Sequence, residues 1–155
     1  MIPILRFREW CIELINEVNA ETQLIDHLVM GVKEEHIIKK LRDKSGVCLC
    51  VNYPDASGSG QEDNVTDDHT VYFFVVQKIN PGTHTEDEEM KHYDAMQFTM
   101  SQLRSAVRAS AQQNCIGVQV SPSDKVEWEY QIFGGFNGLS LGAKITDISH
   151  GKFIH

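Results

Sequence analysis

The residues best suited to binding a metal lie together near the start of a predicted long helix. They are His84, Glu86, Glu88, His92 and Asp94. Glu88 and His92 are four positions apart and share one helix face, a spacing that metal-binding helices use. No second histidine stands at that spacing, and carboxylates in a first helical turn are favoured anyway because they meet exposed N–H groups. We therefore predict a solvated helix start, with no metal and no other cofactor.

Glu127 and Glu129 are a second candidate for chemistry, as two carboxylates two positions apart in a predicted strand. Residues i and i+2 of a strand point to one face, and paired carboxylates can act as an acid and a base. The same alternation arises when a strand turns its charged residues to water. We expect the solvent-facing arrangement, which leaves both glutamates available for an interface.

Arg104 and Arg108 form a small basic patch, four positions apart, in an otherwise acidic protein. Such a patch can meet carboxylates of a neighbouring copy through electrostatic complementarity. Exposed arginines on a long helix also need no partner. Both arginines are candidate interface residues on this reasoning.

The four cysteines are Cys11, Cys48, Cys50 and Cys115. A zinc site usually needs a second closely spaced pair, and the sequence has none. Cys48 and Cys50 would lie side by side on one face of a strand. We predict buried, reduced thiols that act as small hydrophobic side chains, and from them an intracellular, cytoplasmic setting.

The composition argues against several classes of function. Among 155 residues, 14 Lys and Arg stand against 22 Asp and Glu, and the net charge of −8 disfavours binding to nucleic acid or to an anionic membrane. No apolar run reaches the roughly 18–20 residues of a membrane span, and the first residues do not read as a secretory signal. Neither a nucleotide-binding glycine loop nor a G-x-S-x-G motif is found, although a catalytic triad can assemble from distant residues.

Hydrophobic periodicity predicts the helices and strands. Helices are expected at Leu5–Val18, Lys33–Lys44 and Glu86–Gln113, the last beginning with a capping box of Thr85 and Glu88. Strands are expected at Val47–Tyr53, His69–Ile79, Cys115–Val120, Val126–Ile132 and Leu139–Ile145, with turns at Pro122–Asp124 and 134–138. Leu24–Met30 fits either a strand or a helix, and Ile148–His155 is expected to be a loose tail.

This order of elements predicts one domain over residues 1–155, of the α+β class. A mostly antiparallel sheet should pack on one long helix, with one or two additional N-terminal helices. The long helix should meet the sheet through an apolar stripe of Tyr93, Met96, Met100, Leu103, Val107 and Ser110.

An acidic segment rich in Gly and Ser, Pro54–Asp68, separates two of the predicted strands. Its carboxylates are Asp55, Glu62, Asp63, Asp67 and Asp68. Such a stretch cannot bury enough apolar area to offset the entropy lost on ordering, so we predict a mobile loop. A loop of about 15 residues inside a compact domain usually has a function. We expect these carboxylates to belong to an interface that orders on assembly.

The order of elements resembles that of the small α+β tail-terminator, or tail-completion, proteins of long-tailed bacteriophages and related contractile particles. The matching helices are Arg6–Val18 and Glu86–Gln113. The matching strands are the pair Val47–Tyr53 and His69–Ile79, joined by the Asp55–Asp68 loop, and the final hairpin of Val126–Ile132 with Leu139–Ile145. The resemblance implies a structural subunit that forms a ring, expected to be a hexamer, which caps a tail tube and offers a platform to the head. It also implies that the partners are further copies of the chain and other assembly proteins, within a virion or a prophage-encoded particle.

Two other functions remain open from the sequence. One is an enzyme of an unrecognised small α+β class, with a cleft using Glu127, Glu129 or His92. The other is an intracellular binding module that recognises its partner through the Asp55–Asp68 loop. We favour the non-enzymatic, self-associating assembly subunit.

Overall fold

The computed structural model describes residues 1–59, 66–80, 82–113 and 118–147. Glu62, Asp63, Cys115 and the predicted tail Ile148–His155 lie outside the described residues. The elements along the described chain are α1 Ile4–Val18, β1 His27–Gly31, α2 Glu34–Leu41, β2 Val47–Asn52, β3 Ser57–Ser59, β4 Thr66–Lys78, α3 Glu86–Gln113, β5 Val118–Ile132 and β6 Phe136–Asp147.

The strands form one 6-stranded sheet in which β1, β2, β4, β6 and β5 are successive neighbours. β1 runs parallel to β2, and the other pairs are antiparallel, including the short strand β3 on the start of β4. Within the described ranges, β1 and β5 each have one neighbouring strand and form the two edges of the sheet. The predicted α+β class, a mostly antiparallel sheet with one long helix, is confirmed.

Alternation along the two central strands decides which face of the sheet is the main core. Val71, Phe73 and Val75 of β4 point to the same face as Leu139 and Leu141 of β6, and all five are buried. The helices α1 and α3 cover this face and join its hydrophobic cluster. Most of the predicted stripe of α3 is buried here, namely Met96, Met100, Leu103 and Val107.

Trp10 of α1 connects both helices to the sheet. Its ring lies edge-on to that of Phe73, with 5.9 Å between the ring centroids. Its indole N–H donates a hydrogen bond to Ser110 Oγ of α3 at 3.0 Å. A buried indole needs such an acceptor, which explains why a serine continues the apolar stripe of α3.

The short helix α2 covers part of the opposite face of the sheet. Ile37 and Leu41 of α2 share a second hydrophobic cluster with Cys48 and Cys50 of β2 and with Val76 of β4. The two cysteines therefore lie on one strand face, as predicted. β2 is buried on both faces because α1 packs on one side of it and α2 on the other.

Two segments differ from the expectations, and one that was left open is now assigned. Leu24–Met30, left open from the sequence, contributes to β1, and β4 begins at Thr66, inside the predicted loop. The turn predicted at Pro122–Asp124 lies within the single long strand β5, where the pairing with β6 shifts between Val120 and Asp124. A β-bulge absorbs extra residues without ending a strand, so turn-forming residues did not signal a break here.

The turn between β5 and β6 is held in a conformation with positive φ angles. Gln131 and Phe133 have φ values of 53° and 51°, and Gly134 and Gly135 have 82° and 125°. The side chain of Asn137 stabilises the turn, because its Oδ1 accepts a hydrogen bond from the Gln131 backbone N–H at 2.7 Å. A turn between the last two strands is thus present as predicted, but it lies at 133–135, and residues 136–138 of the predicted turn already belong to β6. Its glycines supply two of the left-handed conformations.

Replacing Leu103 with alanine tests the interface between α3 and the sheet. Leu103 is fully buried, so L103A should lower the free energy of unfolding by about 2–5 kcal/mol through lost burial and the cavity left behind. Urea denaturation measures this. The exposed neighbour Gln102 provides the control, since Q102A should change stability by less than about 0.5 kcal/mol. Equal effects of the two substitutions would contradict the packing described.

Candidate interaction surfaces

The edge strand β5 exposes large aromatic side chains. Trp128 pairs with Leu139 of β6, so it lies on the α3 side of the sheet together with Val126 and Tyr130. The helices cover this end only in part, and Trp128 and Tyr130 are 59% and 65% exposed. The sequence predicted a half-buried strand, but the apolar side of its C-terminal half is mostly open to solvent.

Tyr93 of α3 fixes the position of this aromatic pair. Its ring lies edge-on to Trp128 with 5.7 Å between the centroids, and its hydroxyl donates to the backbone oxygen of Glu129 at 3.0 Å. Burial is the main cause that raises the pKa of Tyr93, so the hydroxyl remains a donor at neutral pH. The exposed indole of Trp128 therefore packs against a tyrosine ring that is itself hydrogen-bonded to β5.

Glu127 and Glu129 lie on the opposite face of the same strand. Glu127 pairs with Ser140 in the register of β5 and β6, and its Oε1 lies 2.9 Å from Lys125 Nζ. Glu129 Oε1 accepts a hydrogen bond from the Ser140 hydroxyl at 2.9 Å. Both carboxylates share one face, as predicted, and each has a polar neighbour rather than the other carboxylate as its contact.

Arg104 and Arg108 meet a carboxylate of their own chain. Arg104 donates to Oδ1 of Asp124 in β5, through Nε at 3.1 Å and through Nη2 at 2.5 Å. Arg108 Nη2 lies 3.3 Å from the same oxygen. The Asp124 side chain is only 7% exposed. Hydrogen bonding from Arg104 is the main cause that lowers the pKa of Asp124, and the same bond raises the pKa of Arg104. The predicted basic patch therefore anchors β5 to α3.

The histidines near the start of α3 have separate partners. His84 Nδ1 lies 3.1 Å from Glu88 Oε2, whereas His92 Nε2 donates to the backbone oxygen of Asn137 at 3.1 Å. Burial, the largest cause, lowers the pKa of His92. One half of the predicted capping box is present, since the Glu88 backbone N–H donates to Thr85 Oγ1 at 3.2 Å, while the Glu88 carboxylate lies beside His84. Among the described residues, no group of three His, Cys, Asp or Glu side chains is placed to hold a metal ion.

The residues considered for an active site do not converge. His92 reaches β6 from α3, on the helix-covered face of the sheet. Glu127 and Glu129 lie on the other face. The strands themselves thus separate the histidine from the two carboxylates.

The carboxylates at the C-terminal end of the acidic segment belong to the sheet. Asp67 and Asp68 lie in β4, opposite Gly58 and Ser57 of β3. Asp67 forms an ion pair with the amino group of Met1. The Asp68 carboxylate accepts a hydrogen bond from the hydroxyl of Thr146 in β6 at 2.9 Å. The sequence missed this pairing because β3 is only 3 residues long and contains no strongly strand-forming residue.

Asp55 contributes its backbone rather than its carboxylate to this end of the sheet. Its carbonyl oxygen accepts a hydrogen bond from Nδ1 of the buried His69 at 2.7 Å. The bond ties the chain after β2 to β4. Glu62 and Asp63 of the predicted interface lie outside the described residues, so Asp55, Asp67 and Asp68 are the members that the structure locates.

A groove of about 580 Å³ runs beside the other edge strand, β1, and no pattern in the sequence predicted it. Its apolar lining comes from Leu5 and Ile12 of α1 and from Leu28 and Met30 of β1. Leu5 is 71% exposed and Ile12 is 38% exposed. Both residues fall within the predicted helix Leu5–Val18, but its periodicity does not distinguish two apolar faces. One face enters the core through Phe7, Trp10, Cys11, Leu14 and Val18, and the other borders the groove.

All the charged side chains that line this groove are cationic. They are Arg8 of α1 and Lys40 and Lys44 at and after the end of α2. Lys40 Nζ donates to the backbone oxygen of Met30 at 2.7 Å. A lysine that caps an edge-strand carbonyl protects an edge from uncontrolled pairing. In a protein of net charge −8, this is a local concentration of positive charge beside apolar surface.

The described cysteines are poor nucleophiles. Burial raises the pKa of the Cys48 thiol to about 11, and burial also raises the pKa values of Cys11 and Cys50 well above the ordinary range. Thiolate is the reactive form of cysteine. These three side chains therefore serve as packing groups at neutral pH, which agrees with their free, buried state.

The ion pair between Arg104 and Asp124 predicts a pH-dependent contribution to stability. Because folding lowers the pKa of Asp124, the contribution is fully present above the unfolded pKa near 4 and is lost as the pH falls through the lower folded value. The substitution D124N should lower the free energy of unfolding by about 1 kcal/mol at pH 7, a value moderated by the partial exposure of Arg104.

Urea denaturation of both proteins between pH 7 and pH 3 measures this effect. The difference between wild type and D124N should shrink below about pH 4. The exposed Asp43 supplies the control, because D43N should change stability by less than about 0.5 kcal/mol at pH 7. A D124N difference that stays constant down to pH 3 would contradict the assignment.

No family model matches the chain, and no curated protein shows significant sequence similarity to it. Within the part of the chain that the structure describes, none of the helices is both long and apolar enough to cross a membrane. The function must therefore be argued from the two sheet edges and the side chains beside them.

Proposed function

We propose that the protein is a structural assembly subunit that associates with further copies of itself. The observation that carries the proposal is the placement of exposed apolar side chains at both ends of one open sheet. Leu5 and Ile12 lie beside the β1 edge, and Trp128 and Tyr130 lie on the β5 edge. Exposed apolar surface of this kind is typical of protein interfaces.

Edge strands add a second reason for association. An unpaired edge presents backbone N–H and C=O groups that another chain can pair with, and soluble proteins usually shorten or block such edges. β5 is 15 residues long, far longer than the short edges that avoid pairing. Two different edges on one subunit permit a heterologous, head-to-tail contact, which builds a ring when the rotation between copies closes.

The resemblance to tail-terminator proteins suggests the kind of particle to which this assembly would belong. The helix, the paired strands, the long helix and the final hairpin follow one another in the order that resembles tail-terminator proteins. A protein of that kind would be a ring-forming subunit. We infer that the ring caps a tail tube and contacts other assembly proteins. Tail-tube and capsid genes beside the gene for this chain would support the inference. Co-purification with the products of those genes would test the contact directly.

Removing the exposed aromatic pair tests self-association. The wild-type protein should sediment as an oligomer, whereas the double substitution W128S/Y130S should shift it toward the 17.6 kDa monomer. Both side chains are more than half exposed, so folding should change little. Sedimentation velocity over a range of concentrations measures the mass.

Phe98 provides a matched control, because it is 56% exposed but lies on α3 rather than on a sheet edge. F98S should leave the oligomer intact. A wild-type protein that stays monomeric at every concentration, alone and with its neighbouring gene products, would overturn the proposed function.

A further inference from the structure

We propose that the β5 edge of one copy docks into the groove beside β1 of the next copy, extending the sheet from subunit to subunit. This inference rests on the proposed self-association and names its contact. The occupant of the groove is thus the acidic and aromatic edge of a second copy of this chain.

The strand directions allow this contact. β1 is parallel to β2, and three antiparallel steps then lead from β2 through β4 and β6 to β5. An odd number of reversals makes β1 and β5 run in opposite directions. A rotation that places the next copy beside the first therefore brings β5 and β1 together as an antiparallel pair, the pairing already dominant in the sheet.

The charges on one face of the two edges are complementary. Glu127 and Glu129 project from β5 on the face opposite α3. α2, which carries Lys40 and leads to Lys44, packs on that same face of the sheet. Continuation of the sheet keeps each face on its own side, so the two glutamates of one copy approach the two lysines of the next. Opposite charges across an interface fix its register and select the partner.

The apolar groups match on the other face. Trp128 and Tyr130 lie on the side of the sheet that α1 and α3 cover. α1 presents Leu5 and Ile12 to the groove on this side. Docking would bury the two aromatic rings against these aliphatic side chains, and aromatic anchors of this type commonly dominate the energy of an interface.

Lys40 explains how the β1 edge stays unpaired before assembly. Its ammonium group donates a hydrogen bond to the backbone carbonyl oxygen of Met30 at 2.7 Å. A carboxylate of an incoming strand offers the lysine a charged partner, and a charge-assisted bond is stronger than one to a neutral carbonyl. The transfer of Lys40 to Glu127 or Glu129 would free the carbonyl for strand pairing.

Charge exchange between the edges tests the contact. One variant, E127K/E129K, reverses the β5 edge, and a second variant, K40E/K44E, reverses the β1 groove. Each alone should raise the concentration at half-assembly by about 100-fold or more, because like charges then face each other. An equimolar mixture should regain the wild-type mass, since each edge of one variant complements the opposite edge of the other. The quadruple variant should also assemble alone.

The control E13K/E17K makes the same change in net charge as E127K/E129K, on exposed positions of α1, and it should assemble as wild type does. Circular dichroism and urea denaturation establish that every variant is folded. If wild type is oligomeric and both reversed variants assemble normally, or if the mixture remains dissociated, the edge contact is wrong while self-association stands. If the wild-type protein is monomeric, both the edge contact and the proposed self-association are wrong.

Discussion

The pairing of β4 with β6 is the constraint on which the remaining structure depends. Their register extends without a break from Asp67 opposite Asp147 to Lys78 opposite Phe136. These strands supply most of the buried face that α1 and α3 cover, with Phe73 meeting Trp10 at its centre. Because the two strands occupy the middle of the sheet, β1 and β2 must add on one side and β5 on the other.

The edges differ in a way that follows from the helices. α1 and α2 flank β1 from opposite faces, so this edge lies in a groove with aliphatic and cationic walls. α3 reaches β5 through Tyr93 and through the Arg104–Asp124 ion pair, but it leaves Trp128 and Tyr130 open. One edge is therefore recessed and positive, and the other projects and carries acidic and aromatic groups. Two unlike edges are what a head-to-tail contact requires.

The order of elements was sufficient to predict the α+β class. Patterns within single elements predicted the buried stripe of α3, the N-cap at Thr85 and the shared face of Cys48 and Cys50. Each of these patterns depends on spacing along one helix or one strand. Contacts between distant elements could not be predicted in the same way. The partner of Arg104 is Asp124, and the sequence analysis had assigned Asp124 to a turn.

The candidate surfaces were predicted only in part for the same physical reason. Glu127 and Glu129 were correctly placed on one strand face, because alternation determines it. Exposure of Leu5 depends on α1 having neighbours on only some of its sides, and periodicity along α1 does not contain that information. The β1 groove depends on three elements meeting, and its lysines come from the end of α2 and the residues after it.

Amide hydrogen exchange, followed as a function of protein concentration, measures edge pairing most directly. Strand pairing between copies should protect the backbone amides of His27–Gly31 and of the Trp128–Tyr130 stretch as the protein assembles, while the central amides of β4 and β6 stay protected throughout. Edge amides that exchange at the same rate in dilute and in assembled protein would contradict the extension of the sheet between subunits.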